Sequence, residues 1–159
     1  MNARDILFYG DGTLMASLER IPPADRTKRG VVGWWSARET MAHLAIFEEQ
    51  LVEVLELFIK GSGVPEAAQM SPEMNDVLVA QRKDETFDEL FADYQKAHAR
   101  VMELIEKIPP EKLREVGTIP WYGDQYSLDD FLVYTFYGHK REHAGRFEMF
   151  GDRLEGTDQ

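Results

Sequence analysis

The chain has 159 residues, which suits one domain able to bury about 68–70% of its unfolded surface. It has no cysteine, which excludes disulfides, thiolate metal sites and cysteine nucleophiles. A net charge of −11, from 18 Lys and Arg against 29 Asp and Glu, argues against a nucleic-acid groove or an anionic membrane partner.

Apolar residues recur at helical spacing in four long segments, with no strand-like alternation. The first runs from about Arg4 to Ile21, with Leu7, Leu14, Leu18 and Ile21 on one stripe. Gly10 and Gly12 each weaken it by about 1 kcal/mol against alanine, so it leans on tertiary packing. No apolar run at the start resembles a signal peptide, and no stretch reaches the roughly 18 apolar residues of a membrane span. A cytoplasmic protein is expected.

The second segment opens at Ser36, where Ser36 and Glu39 read as a capping box. It continues through Leu44, Phe47, Leu51, Leu55 and Phe58 and stops before Gly61. A long connection follows, with a short helix expected near Pro72–Lys83. The third segment starts with a second capping box, Thr86 and Glu89. It carries Phe87, Phe91, Tyr94, His98, Val101, Ile105 and Ile108, and Pro109-Pro110 closes it. The loop from Pro109 to Tyr126 holds Trp121, Tyr122 and Tyr126. The fourth segment follows Ser127 and ends before Gly151.

Four amphipathic helices predict an all-α four-helix bundle. The long crossover lets the second and third helices run parallel, which makes the arrangement up-down-down-up.

The chemistry lies in the fourth segment. With Leu128 at 0°, His139 and His143 fall near 20° and 60°, within the arc of Phe131, Leu132, Phe136, Phe147 and Phe150. Helical His-x-x-x-His is a bidentate chelate, but two hydrogen-bonded core histidines fit the same pattern. A zinc-like catalytic ion usually takes three protein ligands. Two histidines compete for the third place. His98 lies on the apolar stripe of the third helix, whereas His43 falls on the flank of the second, near −100° from Leu44. Periodicity slightly favours His98.

The segment Trp35-Ser36-Ala37-Arg38-Glu39-Thr40-Met41-Ala42-His43-Leu44 resembles the motif opening the second helix of the DinB-like superfamily. The terminal pair His139 and His143 is similar to that family's other hallmark. Asn75 through Pro109-Pro110-Glu111-Lys112-Leu113 also looks similar, so the resemblance covers most of the chain. It implies a single bundle domain, here residues 1–159, with a three-histidine site for a divalent metal, zinc or nickel, and often a homodimer. Its ligands would be His43, His139 and His143, leaving His98 to line a pocket or the core. Some branches are thiol-dependent transferases and isomerases using mycothiol or bacillithiol. Another confers colibactin self-resistance by opening a cyclopropane, and its Trp-containing loop and His-x-x-x-His-x-x-Arg resemble Trp121 and His139 to Arg146 here.

This points to a metal-dependent hydrolase or thiol transferase acting on a small molecule, with a non-catalytic ligand-binding bundle as the alternative. Glu39 and Glu142 are candidate carboxylates, although the capping box already accounts for Glu39. Trp35, His98, Trp121, Tyr122 and Arg146 are candidate pocket residues, Arg146 for an anionic group.

Overall fold

The computed structural model describes residues 2–157, and the described residues are all-helical. Among them no strand forms; the single β-bridge, Val32 to Trp35, closes the loop before the second long helix. No helix among them is long and apolar enough to cross a membrane.

Helix α1 spans Ala3–Leu18 and begins where the Asn2 side chain accepts from the amides of Arg4 and Asp5. It buries Leu7, Leu14 and Leu18. Gly10 packs closely against the last helix: a Cβ there would lie 3.0 Å from Cδ2 of Tyr137. The helix releases before Ile21, which is nevertheless fully buried.

Helix α2 spans Ala37–Lys60 under the expected capping box, with Glu39 accepting from the Ser36 amide at 2.8 Å. It ends at Gly61, whose φ of 79° suits glycine. The crossover contains α3, Met74–Gln81, close to the expected short helix. Helix α4 spans Phe87–Ile105 and starts at the Thr86–Glu89 capping box. A single turn, α5, spans Pro110–Leu113.

The last helix departs from a uniform α-helix. Ser127 and Asp130 cap a first turn, α6, Leu128–Phe131. A π-helical stretch, Leu132–Tyr137, then leads into α7, Gly138–Thr157. Such wide turns are often found at functional sites. Helix α7 also runs past Gly151, where the sequence predicts a stop. A Cβ at Gly151 would come within 2.9 Å of the Arg20 carbonyl oxygen, so this glycine serves close packing rather than termination.

The four long helices touch in a closed cycle: α1 with α7 and α4, α2 with α4 and α7. Contacts advance together along α2 and α4, from Arg38 at the Glu85 carbonyl to Glu48 at His98 and Glu56 at Arg100. They also advance together from Gly10 at Tyr137 to Ser17 at Glu148. Between α1 and α4 the order reverses, with Arg4 at Glu106 and Asp11 at Tyr94. It reverses again between α2 and α7, with His43 at His143 and Phe47 at Phe136.

The apolar interior forms two clusters. One gathers Leu14, Leu44, Leu90, Tyr94 and Phe147; the other gathers Leu7, Leu51, Leu55, Val101, Leu132 and Phe136. Polar residues stand between the contributions to the two clusters: Asp11 on α1, Glu48 on α2, His98 on α4, and His139 and Lys140 on α7, just after the π-helical stretch that carries Leu132 and Phe136.

Candidate metal centre

His43 sits on the second turn of α2, and His139 and His143 sit on successive turns of α7. The relative angle of the last two depends only on the regular helix between them, so the preceding π stretch leaves it unchanged. Facing His43 across the α2–α7 contact, they form a cluster with one ligating atom from each within 4.8 Å of the others. His43 and His143 are buried and His139 is half-buried. Nε2 of His139 lies 2.7 Å from that of His43 and 3.0 Å from that of His143.

Burial acts most strongly on all three imidazoles and disfavours their protonated form. Together with the charge of His143 it pushes His43 down to about 3. With His143, His43 and Lys140 it takes His139 to about 2. With Arg146 it takes His143 to about 4. At neutral pH the donor set is therefore three uncharged imidazoles, the form that binds metals.

The residues fit a divalent ion. His139 Nε2 faces two neighbours with one proton or one lone pair, whereas a cation accepts a lone pair from each ring. In a tetrahedral zinc site, bonds of about 2.0–2.1 Å hold neighbouring nitrogens about 3.3 Å apart. The observed separations of 2.7 and 3.0 Å are shorter than this by about 0.6 and 0.3 Å. Nδ1 of His143 is buried with no hydrogen-bond partner, so the outward side of this ring lacks the acceptor that commonly orients a ligating histidine.

The surroundings are aromatic. The Trp35 ring lies 5.1 Å from His43, and its Nε1 donates to Asp76 of α3 at 2.9 Å. Phe47, one turn beyond His43, stacks on His139 at 3.9 Å and touches Phe136. Phe47 and Phe136 also line a cavity of about 330 Å³, together with Met70, Trp121, Tyr122 and Phe131. A larger cavity, about 810 Å³, lies where α2 and α4 end; no histidine lines either cavity, and the smaller one meets the cluster through Phe47, which stacks on His139. Trp121 borders both.

The other sequence-predicted residues fall in different places. Trp121 and Tyr122 line the cavity beside the cluster. His98 turns into the polar layer, with Nδ1 2.6 Å from Oε1 of Glu48. Glu39 is occupied by Ser36 and Arg38. Those contacts and its own amide hold its carboxyl below the usual range, although burial alone would raise it. Glu142 and Arg146 are exposed and face each other at 3.8 Å. Phe47 and Phe136 read in the sequence only as core residues; the spacing of Phe47 four residues after His43 was the available signal.

No curated protein and no solved structure matches the chain. The sequence matches the DinB superfamily over residues 12–146, and with the histidine cluster formed by the two segments that carried the resemblance, the chain belongs to the DinB superfamily.

Proposed function

We propose that the protein is a divalent-metal-dependent enzyme, a hydrolase or thiol transferase, acting on a small molecule with an apolar or aromatic part. The observation that carries this is three neutral imidazoles from two helices converging on one point beside an aromatic cavity. His43, His139 and His143 would hold the ion, zinc or nickel. A divalent ion there supplies Lewis acidity that acidifies a water or a thiol reaching it.

The chain's own residues would bind and exclude water. Phe47, Trp121, Tyr122 and Phe136 offer flat apolar faces to a substrate. Trp35 covers His43, and the Asp76 bond fixes its ring. Mycothiol, bacillithiol or a similar low-molecular-weight thiol would serve as second substrate in the transferase version. The family resemblance extends the proposal to a homodimer acting in the cytoplasm. It extends also to one bundle domain arranged up-down-down-up, supported by the order of side-chain pairs along the four helices.

A non-catalytic binding bundle is favoured by one observation. The nearby carboxylates are occupied or distant: Glu39 caps α2, Glu48 is held by Lys140 and His98, and Glu142 faces solvent. An enzyme at this site would draw its base from the acidified water or thiol itself.

Metal analysis of protein prepared without chelators tests the site. One equivalent of a divalent ion is expected, lost in His43→Ala, His139→Ala and His143→Ala and retained in His98→Ala. Metal that survives His43→Ala, or an unaltered protein that binds none, would sink the proposal. Metal-dependent turnover of thiols with electrophilic substrates then separates enzyme from binding bundle.

A further inference from the structure

The polar layer between the two apolar clusters is connected throughout. Nζ of Lys140 on α7 donates to Oε1 of Glu48 on α2 at 3.0 Å, and the two side chains are 3% and 1% exposed. The same Glu48 oxygen meets Nδ1 of His98 on α4. On the far side of His98, Nε2 faces Oδ2 of Asp11 at 3.7 Å, and Asp11 accepts from the Tyr94 hydroxyl at 2.5 Å. The Lys140 ammonium also stands 5.3 Å over the Tyr94 ring. All four long helices contribute.

The place of the ion pair relative to the histidines is the informative part. Glu48 follows His43 by five residues on α2, and Lys140 lies between His139 and His143 on α7. The candidate ligands thus come from two helices whose mutual contact is small, far less extensive than that of α2 with α4 or α1 with α7. Apolar contact is non-directional and sets rotation and sliding weakly. A buried ion pair behaves differently, because a small displacement strands a charge away from water.

We propose that Glu48 and Lys140 are positioning residues for the metal ligands: their buried ion pair fixes the rotation and register of α7 against α2, so that His139 and His143 meet His43. His98, Asp11 and Tyr94 hold Glu48 and Lys140 from the opposite side. The inference rests on the metal reading above and adds to it a role for residues that touch neither the ion nor the cavity.

The test compares the unaltered protein with Lys140→Met and with the double variant Glu48→Leu, Lys140→Met. The double variant removes both charges together, which buried pairs often tolerate, so it keeps the test open if the single variant does not fold. Cobalt(II) serves as the probe, with affinity and visible absorption read by titration, and denaturant unfolding of the metal-free proteins read in parallel. The double variant is expected to unfold near the unaltered midpoint yet bind cobalt at least tenfold more weakly with an altered spectrum. Unchanged affinity and spectrum in the folded double variant would overturn the positioning role and leave the metal site standing. Absence of cobalt binding by the unaltered protein would overturn both.

Discussion

Two buried polar regions lie side by side among these helices and are finished differently. In the layer of Asp11, Glu48, Tyr94, His98 and Lys140, every group faces a partner of complementary character. Burial alone would push the Glu48 carboxyl up, but Lys140 and His98 outweigh it and hold Glu48 below the usual range. In the histidine cluster, three similar groups face one another, the neighbouring carboxylates Glu39, Glu48 and Glu142 are engaged by other groups, and Nδ1 of His143 has no partner. A network completed by its own chain needs no ligand. Three inward-facing imidazoles have an incomplete set of interactions, which a bound ion would complete.

Breaking the completed network should have the largest effect. Lys140→Met alone leaves the Glu48 carboxylate buried without its cation, and removal of one partner from a buried pair typically costs about 3–5 kcal/mol. Denaturant unfolding of the metal-free variant measures this. A loss below about 1 kcal/mol would mean that water reaches Glu48 and that the layer is not the dry network described.

Filling the incomplete cluster should have the next largest effect, with the opposite sign. Zinc at one hundred times its dissociation constant should stabilise the protein by about 2.7 kcal/mol. The gain should vanish in His43→Ala and persist in His98→Ala, because His98 belongs to the other region. A gain that follows His98 would exchange the two roles.

The third prediction separates the regions by pH. The folded-state values of His43, His139 and His143 are depressed to about 3, 2 and 4. An unfolded histidine titrates near 6.5, so below about pH 6.5 the unfolded metal-free chain binds more protons than the folded one. Stability is therefore full above that value and is lost as pH falls, toward 4 for His143 and on toward 3 and 2 for His43 and His139, by up to about 1.4 kcal/mol per pH unit for each histidine. Glu48 is also depressed, but an unfolded glutamate titrates near 4.3, so its contribution is lost only below about that value. Unfolding measured across pH should show stability falling from about pH 6.5 and falling more steeply below about 4.3, and His143→Phe should flatten the fall above that point.

The particular residues show what was legible in the sequence. Capping boxes at Ser36 and Thr86 and the glycine at Gly61 are local signals, and the helix ends follow them closely. The spacing of His139 and His143 is local too. The third member of the cluster is a matter between helices. The apolar stripe of α2 marks the side packed on α4, its most extensive contact, whereas His43 on the flank faces α7. Periodicity ranks a residue by its distance from the main stripe, so it favoured His98, and only the resemblance to a family selected His43. Lys140 and Asp11 were invisible for a related reason: a lone charged residue on a helix reads as solvent-facing until its partner on another helix is known. The π-helical stretch left no composition signal, and Gly151 could not be distinguished from a helix stop without the Arg20 backbone beside it.

The smallest predicted effect tests the edge of the cluster. Glu142 precedes His143, and adjacency in sequence makes it a candidate to orient that ring. On a helix, however, neighbouring residues point about 100° apart, and Glu142 points outward, its side chain 62% exposed and 3.8 Å from Arg146. An exposed pair of this kind contributes at most about 1 kcal/mol and often nothing measurable. Glu142→Gln should therefore change stability by less than about 0.5 kcal/mol and leave zinc affinity unaltered. A tenfold loss of affinity would mean that Glu142 swings inward to serve the unpartnered Nδ1 of His143 once the ion is bound. The cluster would then be completed by its own chain after all, by a carboxylate that waits at the surface.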